Sequence, residues 1–200
     1  MLTNNDTTYR NIFKATFLLG SLQVYQILIG IIKSKVLAIL LGPIGVGIQG
    51  LLISTISMVQ GFTSMGVSQS AVRDISEAQG TDDQNRISAT ISVVKKMVWI
   101  TGLLGLFTMC AFSSVLSRTT FGNNDYTIPF IFLSISLLFD QLTSGFKVIL
   151  QGMRKLKMLA KATAYGSTLG LLLSLPFYYI FGIKGIVPSL ILYSIITFVV

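Results

Sequence analysis

Ile31-Ile32-Lys33-Ser34-Lys35-Val36-Leu37-Ala38-Ile39-Leu40-Leu41-Gly42-Pro43-Ile44-Gly45-Val46-Gly47 sets two lysines inside a run that otherwise reads as membrane-spanning. A charge near the centre of a bilayer costs about 2.5–3.5 kcal/mol on insertion scales, and such residues face a water-filled cavity or a partner. The stretch therefore predicts a membrane protein that handles something polar. Two readings of the lysines stand. In one, both snorkel to the outer interface and the true span ends near Ile32. In the other, a lysine lines a cavity, because six apolar residues, Val36 to Leu41, continue beyond the pair before the break. Residues two apart point to different helix faces, so at most one of Lys33 and Lys35 is expected in a lumen.

The rest of the chain agrees with a membrane setting. Charged residues make up 11% of the 200 and hydrophobic ones 52%, whereas a soluble domain carries about 25% charge. Apolar runs near the roughly 20 residues that a crossing needs predict spans over about 13–41, 44–72, 97–116, 127–150 and 162–181. A sixth run, 186–200, stops short of a full crossing. The expected fold is an all-α integral membrane bundle of about six transmembrane helices. Ser- and Gly-rich residues 50–68 suit close helix packing, and Ile87 to Val94 is expected along the interface before Lys95-Lys96 open the third span.

The formal charge is +8. Its cations collect at span ends rather than on one hydrophilic face, which points to topology and against nucleic acid. Arg10, Lys14, Arg73, Arg86, Lys95, Lys96, Arg154, Lys155, Lys157 and Lys161 fall on one side and Arg118 and Lys184 on the other, so the N-terminus is expected in the cytoplasm. The first apolar run is too long for a cleaved signal peptide. Asn5-Asp6-Thr7 fits a glycosylation sequon, but on that cytoplasmic side it carries no weight.

No histidine and a single cysteine exclude disulfides, His/Cys zinc sites and His-based acid–base chemistry. Cys110, in an apolar span, reads as a packing residue. No enzymatic activity, cofactor or metal is expected. Gly45-Val46-Gly47-Ile48-Gln49-Gly50 fits the dinucleotide pattern but lacks the strand that must precede it. Its structural use is a tight reversal after Gly42-Pro43. Leu41-Gly42, Phe121-Gly122 and Phe181-Gly182 repeat a bulky residue followed by glycine, as helix C-caps or as a weak internal repeat. Asp140 lies mid-span with Lys147 two turns along, so Ser136, Asp140, Thr143 or Ser144, and Lys147 form a stripe that must face inward. That stripe serves either a transport path or an inter-helix network.

Taken in order, Lys35 to Gly47, Ser70-Ala71-Val72-Arg73, Phe121-Gly122-Asn123, Leu150-Gln151-Gly152-Met153-Arg154 and Gly182-Ile183-Lys184-Gly185-Ile186-Val187-Pro188 resemble bacterial O-antigen and polysaccharide flippases, the lipid-linked oligosaccharide translocases of the multidrug/oligosaccharidyl-lipid/polysaccharide exporter superfamily. The resemblance implies two six-helix bundles facing each other in a V, this chain supplying the N-terminal one with the C-terminal bundle absent. It also implies an undecaprenyl-diphosphate-linked repeat unit turned from the cytoplasmic to the periplasmic face of the inner membrane for O-antigen and lipopolysaccharide biosynthesis. An O-antigen polymerase and a chain-length regulator would be partners. A diphosphate needs cations in a low-dielectric cavity, for which Lys33, Lys35 and Lys147 are the candidates, with Asp140 beside them. Other readings are a cation-coupled multidrug exporter, which would favour acidic groups such as Asp140, and a truncated, non-transporting component of a polysaccharide assembly complex.

Overall fold

Hydrocarbon offers no partner to a backbone amide, so a chain this apolar must close its hydrogen bonds within each segment. The computed structural model describes residues 3–64, 66–81 and 83–200, with side chains described from Thr16 onward. These residues are helical almost throughout and form no strand. Arg10, Lys14 and the sequon at Asn5 lie outside the described side chains.

Helix α1 (Thr3–Ser64) contains one interruption, at Gly42 (φ 68°, ψ −172°), a conformation open only to glycine. Pro43 follows, with no N–H to continue the ladder. A straight helix would hold Lys33 and Ser57 about 36 Å apart, yet both line one cavity. The arms 3–41 and 43–64 are therefore a helical hairpin, and the tight reversal read from Gly42-Pro43 is present. Pro43, Pro129 and Pro188 each occupy the first turn of a helical segment, where the missing N–H costs nothing.

Gly66, left-handed at φ 71°, starts the short helix α2 (Val67–Gly80), so the helix of the second arm ends earlier than the expected span 44–72. Helix α2 buries Ala71, Ile75 and Ala78 and exposes Arg73, Asp74 and Glu77. Ser76 Oγ donates to the Gly152 carbonyl at 3.3 Å, docking α2 on the far end of helix α5 (Thr127–Gly152). Helix α3 (Gln84–Ala111) runs unbroken through Lys95 and Lys96, so residues 87–94 and the third span form one helix. Asp83 caps it by accepting from Asn85 N and Arg86 N. Its buried positions Ile87, Val94, Val98, Thr101 and Gly105 keep one helical face from end to end.

The short helix α4 (Ser113–Phe121), then α6 (Leu156–Phe181), a 3-10 turn (Gly182–Gly185) and α7 (Ile186–Val199) complete the bundle. Four helical stretches are long and apolar enough to cross a membrane: Thr16–Ser64, Gln84–Ala111, Thr127–Gly152 and Leu156–Val199. The first folds back at Gly42 and the last contains the 3-10 turn. Gly42, Gly122 and Gly182 all take positive φ, and Ile48, Tyr126 and Ile183, each within about two turns of helix after one of them, line one apolar groove. The three bulky-Gly pairs thus mark one end of the bundle. That end holds Arg118 and Lys184. The other holds Arg154, Lys155, Lys157 and Lys161, with Arg73 and Arg86 on the α2–α3 side.

The core has two parts. Leu37, Leu52, Ile56, Met109, Phe130, Leu133, Leu137, Tyr178, Ile186 and Leu190 join α1, α3, α5, α6 and α7. Ala71, Ile75, Val94, Val98, Leu142, Val148 and Ile149 join α2, α3 and α5 toward the basic end. Helix α5 belongs to both, and it approaches α3 through glycine. A Cβ on Gly145 would stand 2.6 Å from both γ-methyls of Val98, and valine has little rotamer freedom to yield. Gly145→Ala is therefore expected to destabilise the protein by about 1–3 kcal/mol. Thermal unfolding of purified protein in detergent checks this, with Gly145→Ala/Val98→Ala expected to cost less than the two single changes added together.

Candidate functional site

Asp140 sits midway along α5, about 18 Å from either end of the helix and so as far from both membrane faces as that helix allows. Lys33 lies nine residues, about 13 Å, before the Gly42 turn. A cavity of about 160 Å³ brings the two together, lined also by Ser57, Gln60, Ser136, Tyr193 and Ser194. Lys33 Nζ stands 4.5 Å from the centroid of the Tyr193 ring, within the range of a cation–π contact. Asp140 is within electrostatic reach of both Lys33 and Lys147. Neither lysine is within 4.0 Å of a carboxylate: among the described residues the one ion pair is the exposed Arg86–Glu77, at 3.3 Å.

The walls are fixed by neutral hydrogen bonds. Gln60 Nε2 donates to Gln141 Oε1 at 3.1 Å, and Gln141 Nε2 donates to Thr101 Oγ1 at 3.1 Å. This amide relay ties α1, α5 and α3 without placing a further charge in the interior. On the α6 side, Tyr25 and Thr168 hydroxyls meet at 2.5 Å. Thr168 spends its own hydrogen on the Ala164 carbonyl, so Tyr25 is the donor.

Lys147 lines a second cavity, of about 450 Å³, with Gln26, Thr143, Thr163, Ser167 and Thr197. Tyr193 borders both cavities. Its ring lies against Gly170, where a Cβ would come 2.5 Å from Cδ2. The α5 stripe is thus divided: Ser136 and Asp140 face the first cavity, Thr143 and Lys147 the second, and Ser144 lines neither. Lys35 is exposed and lines neither. Of the four residues singled out from the sequence, Lys33, Asp140 and Lys147 are half-buried and line cavities, and Lys35 stands exposed on the surface.

Tyr193, Ser194, Gln26 and Gln60 were not legible as site residues. Tyr193-Ser194 is a polar pair within the apolar run 186–200, and Gln26 and Gln60 are amides in apolar surroundings, so the signal was present but weak beside the charges. The acidic stretch after Arg73 has structural uses, with Glu77 paired to Arg86 and Asp83 capping α3; Asp82 lies outside the described residues. Cys110 is half-buried, its sulfur 3.1 Å from Ser134 Oγ.

Residues 12–200 match the sequence model of a family described as polysaccharide biosynthesis protein. No curated protein and no solved structure matches this chain.

The charges should be coupled through the interior. In a double-mutant cycle of Asp140→Asn and Lys147→Met, read by thermal unfolding in detergent, the two changes are expected to depart from additivity by about 0.5–3 kcal/mol. Strict additivity would mean that the cavities do not share a field.

Proposed function

We propose that this chain, which belongs to the polysaccharide biosynthesis protein family, moves undecaprenyl-diphosphate-linked O-antigen or other polysaccharide repeat units from the cytoplasmic to the periplasmic face of the inner membrane. It is a multi-pass membrane protein, and in this reading a transporter rather than an enzyme. The observation that carries the reading is the gathering of Lys33, Asp140 and Lys147 around cavities inside an apolar bundle. Charge at that depth is retained for a polar path, and in a polysaccharide family the polar cargo is a glycosylated, anionic headgroup. Its prenyl tail stays in the bilayer.

Lys35 supports the same reading from outside. It is exposed about 10 Å from the Gly42 turn, where contact with lipid would be costly. We assign its face of α1 to the border of the headgroup's path, with Lys33 and Lys147 on the interior side. The excess of cations at the end carrying Arg154 to Lys161 supports a cytoplasmic placement of that end and of the N-terminus. The cation-coupled exporter reading rests on Asp140 alone, and the three lysines favour an anionic cargo over it.

The test is transport in vesicles. Purified protein reconstituted with fluorescent undecaprenyl-diphosphate oligosaccharide is expected to carry the lipid between leaflets, read by quencher accessibility. Combined Lys33→Gln, Lys35→Gln and Lys147→Gln changes should slow that exchange by roughly 10–100-fold, the worth of lost charge-assisted hydrogen bonds. Exchange by the triple variant at the unaltered rate would overturn the reading.

A further inference from the structure

Lys161 stands on the rim of a shallow groove of about 340 Å³ between the first arm of α1 and the start of α6, where the cations of the basic end meet an apolar cleft. Leu18 and Leu22 of α1 and Ala160 and Ala164 of α6 form its half-buried floor. Each pair is one helical turn apart, so the floor is two facing helical edges, and the alanines leave open the width that longer side chains would fill. Ser21 Oγ, beside the floor, gives its hydrogen to the Leu18 carbonyl at 3.0 Å. Tyr25, hydrogen-bonded to Thr168, ties the two helices at the end of the groove farther from the cations.

The rim is charged. Lys157, Lys161 and Tyr165 follow one another every four residues along an exposed edge of α6, with Arg154 and Lys155 just before the helix. Like charges at that spacing repel, and none of the four cations has a carboxylate within 4.0 Å among the described residues. Topology asks for cations at a helix end, but not for two of them in line along an apolar cleft. Lys161 lies about 8 Å along α6 from Leu156, a depth from which its side chain reaches back to the headgroups. The anion resident at that depth of a bilayer is a lipid phosphate. A zwitterionic headgroup carries its own cation, whereas an anionic one brings the net charge that these lysines lack.

We propose that this groove is a phospholipid site, which takes one acyl chain of an anionic phospholipid against Leu18, Leu22, Ala160 and Ala164 and holds its phosphate at Lys157 and Lys161. The proposal is independent of what the protein transports. It makes the lipid a shared element of α1 and α6 where a cleft separates them.

Native mass spectrometry of the purified protein in neutral detergent tests it, with palmitoyl-oleoyl phosphatidylglycerol and phosphatidylcholine as probes. Phosphatidylglycerol is expected to bind about five- to thirtyfold more tightly, the worth of one to two lysines beside an anionic lipid. Lys157→Gln/Lys161→Gln should remove most of that preference, while Lys95→Gln/Lys96→Gln, which takes the same charge from α3, should keep it. Ala160→Leu, which fills the floor and leaves the lysines in place, should weaken phosphatidylglycerol severalfold, its unfolding temperature checking that the protein is intact. Equal binding of the two lipids to the unaltered protein overturns the site, as does a preference that survives Lys157→Gln/Lys161→Gln or falls as far in Lys95→Gln/Lys96→Gln. If the groove pair weakens undecaprenyl phosphate more than phosphatidylglycerol, the groove belongs to the carrier lipid and the proposal falls.

Discussion

A carboxylate halfway along a membrane-crossing helix cannot face lipid, and much of this bundle's arrangement is a response to Asp140. Helix α5 has to turn its Ser136–Asp140–Thr143–Lys147 stripe inward, and the helices that cover the stripe must bring groups able to meet it. The first arm of α1 brings Lys33, and α7 brings Tyr193 and Ser194. With those faces fixed, the apolar residues of α5 have to form the two cores on either side of the polar layer, and Phe130, Leu133 and Leu137 do so at one end while Leu142, Val148 and Ile149 do so at the other.

Close approach is supplied by small residues. Gly102, Gly105 and Gly145 let α3 and α5 meet with side chains of one filling the gap left on the other. Gly166 and Gly170 do the same for α6 against Thr197 and Tyr193 of α7. Between lipid-facing helices there is no hydrophobic driving force, so van der Waals fit and interhelical hydrogen bonds have to hold the bundle. The Gln60–Gln141–Thr101 relay is such a bond set, and it satisfies the buried amide of Gln141 and the half-buried one of Gln60 without asking the interior to carry another charge.

What was legible in the sequence follows from how local each signal is. Long apolar runs, the Gly42-Pro43 break and the inward stripe of α5 depend on periodicity and backbone chemistry within a few residues, and the helices and the hairpin show them directly. The second-arm helix ends at Ser64, before the left-handed Gly66, and in that apolar context nothing in composition separates a packing glycine from a left-handed one. Residues 87–94 continue into the third span as one helix, with Lys95 and Lys96 making no break in it. Whether Lys33 or Lys35 turns inward depends on the helix rotation that packing fixes, and the partnership of Lys33 with Tyr193 joins residues 160 positions apart. Pairings of that kind have no local signature.

Tyr193 borders both cavities. Asp140 links the two: it lies within electrostatic reach of Lys33 on one side and of Lys147 on the other. The two cavities are therefore one electrostatic compartment with an internal partition. An ion entering either chamber alters the potential in the other, and by reciprocity each chamber's affinity for charge depends on the occupancy of its neighbour.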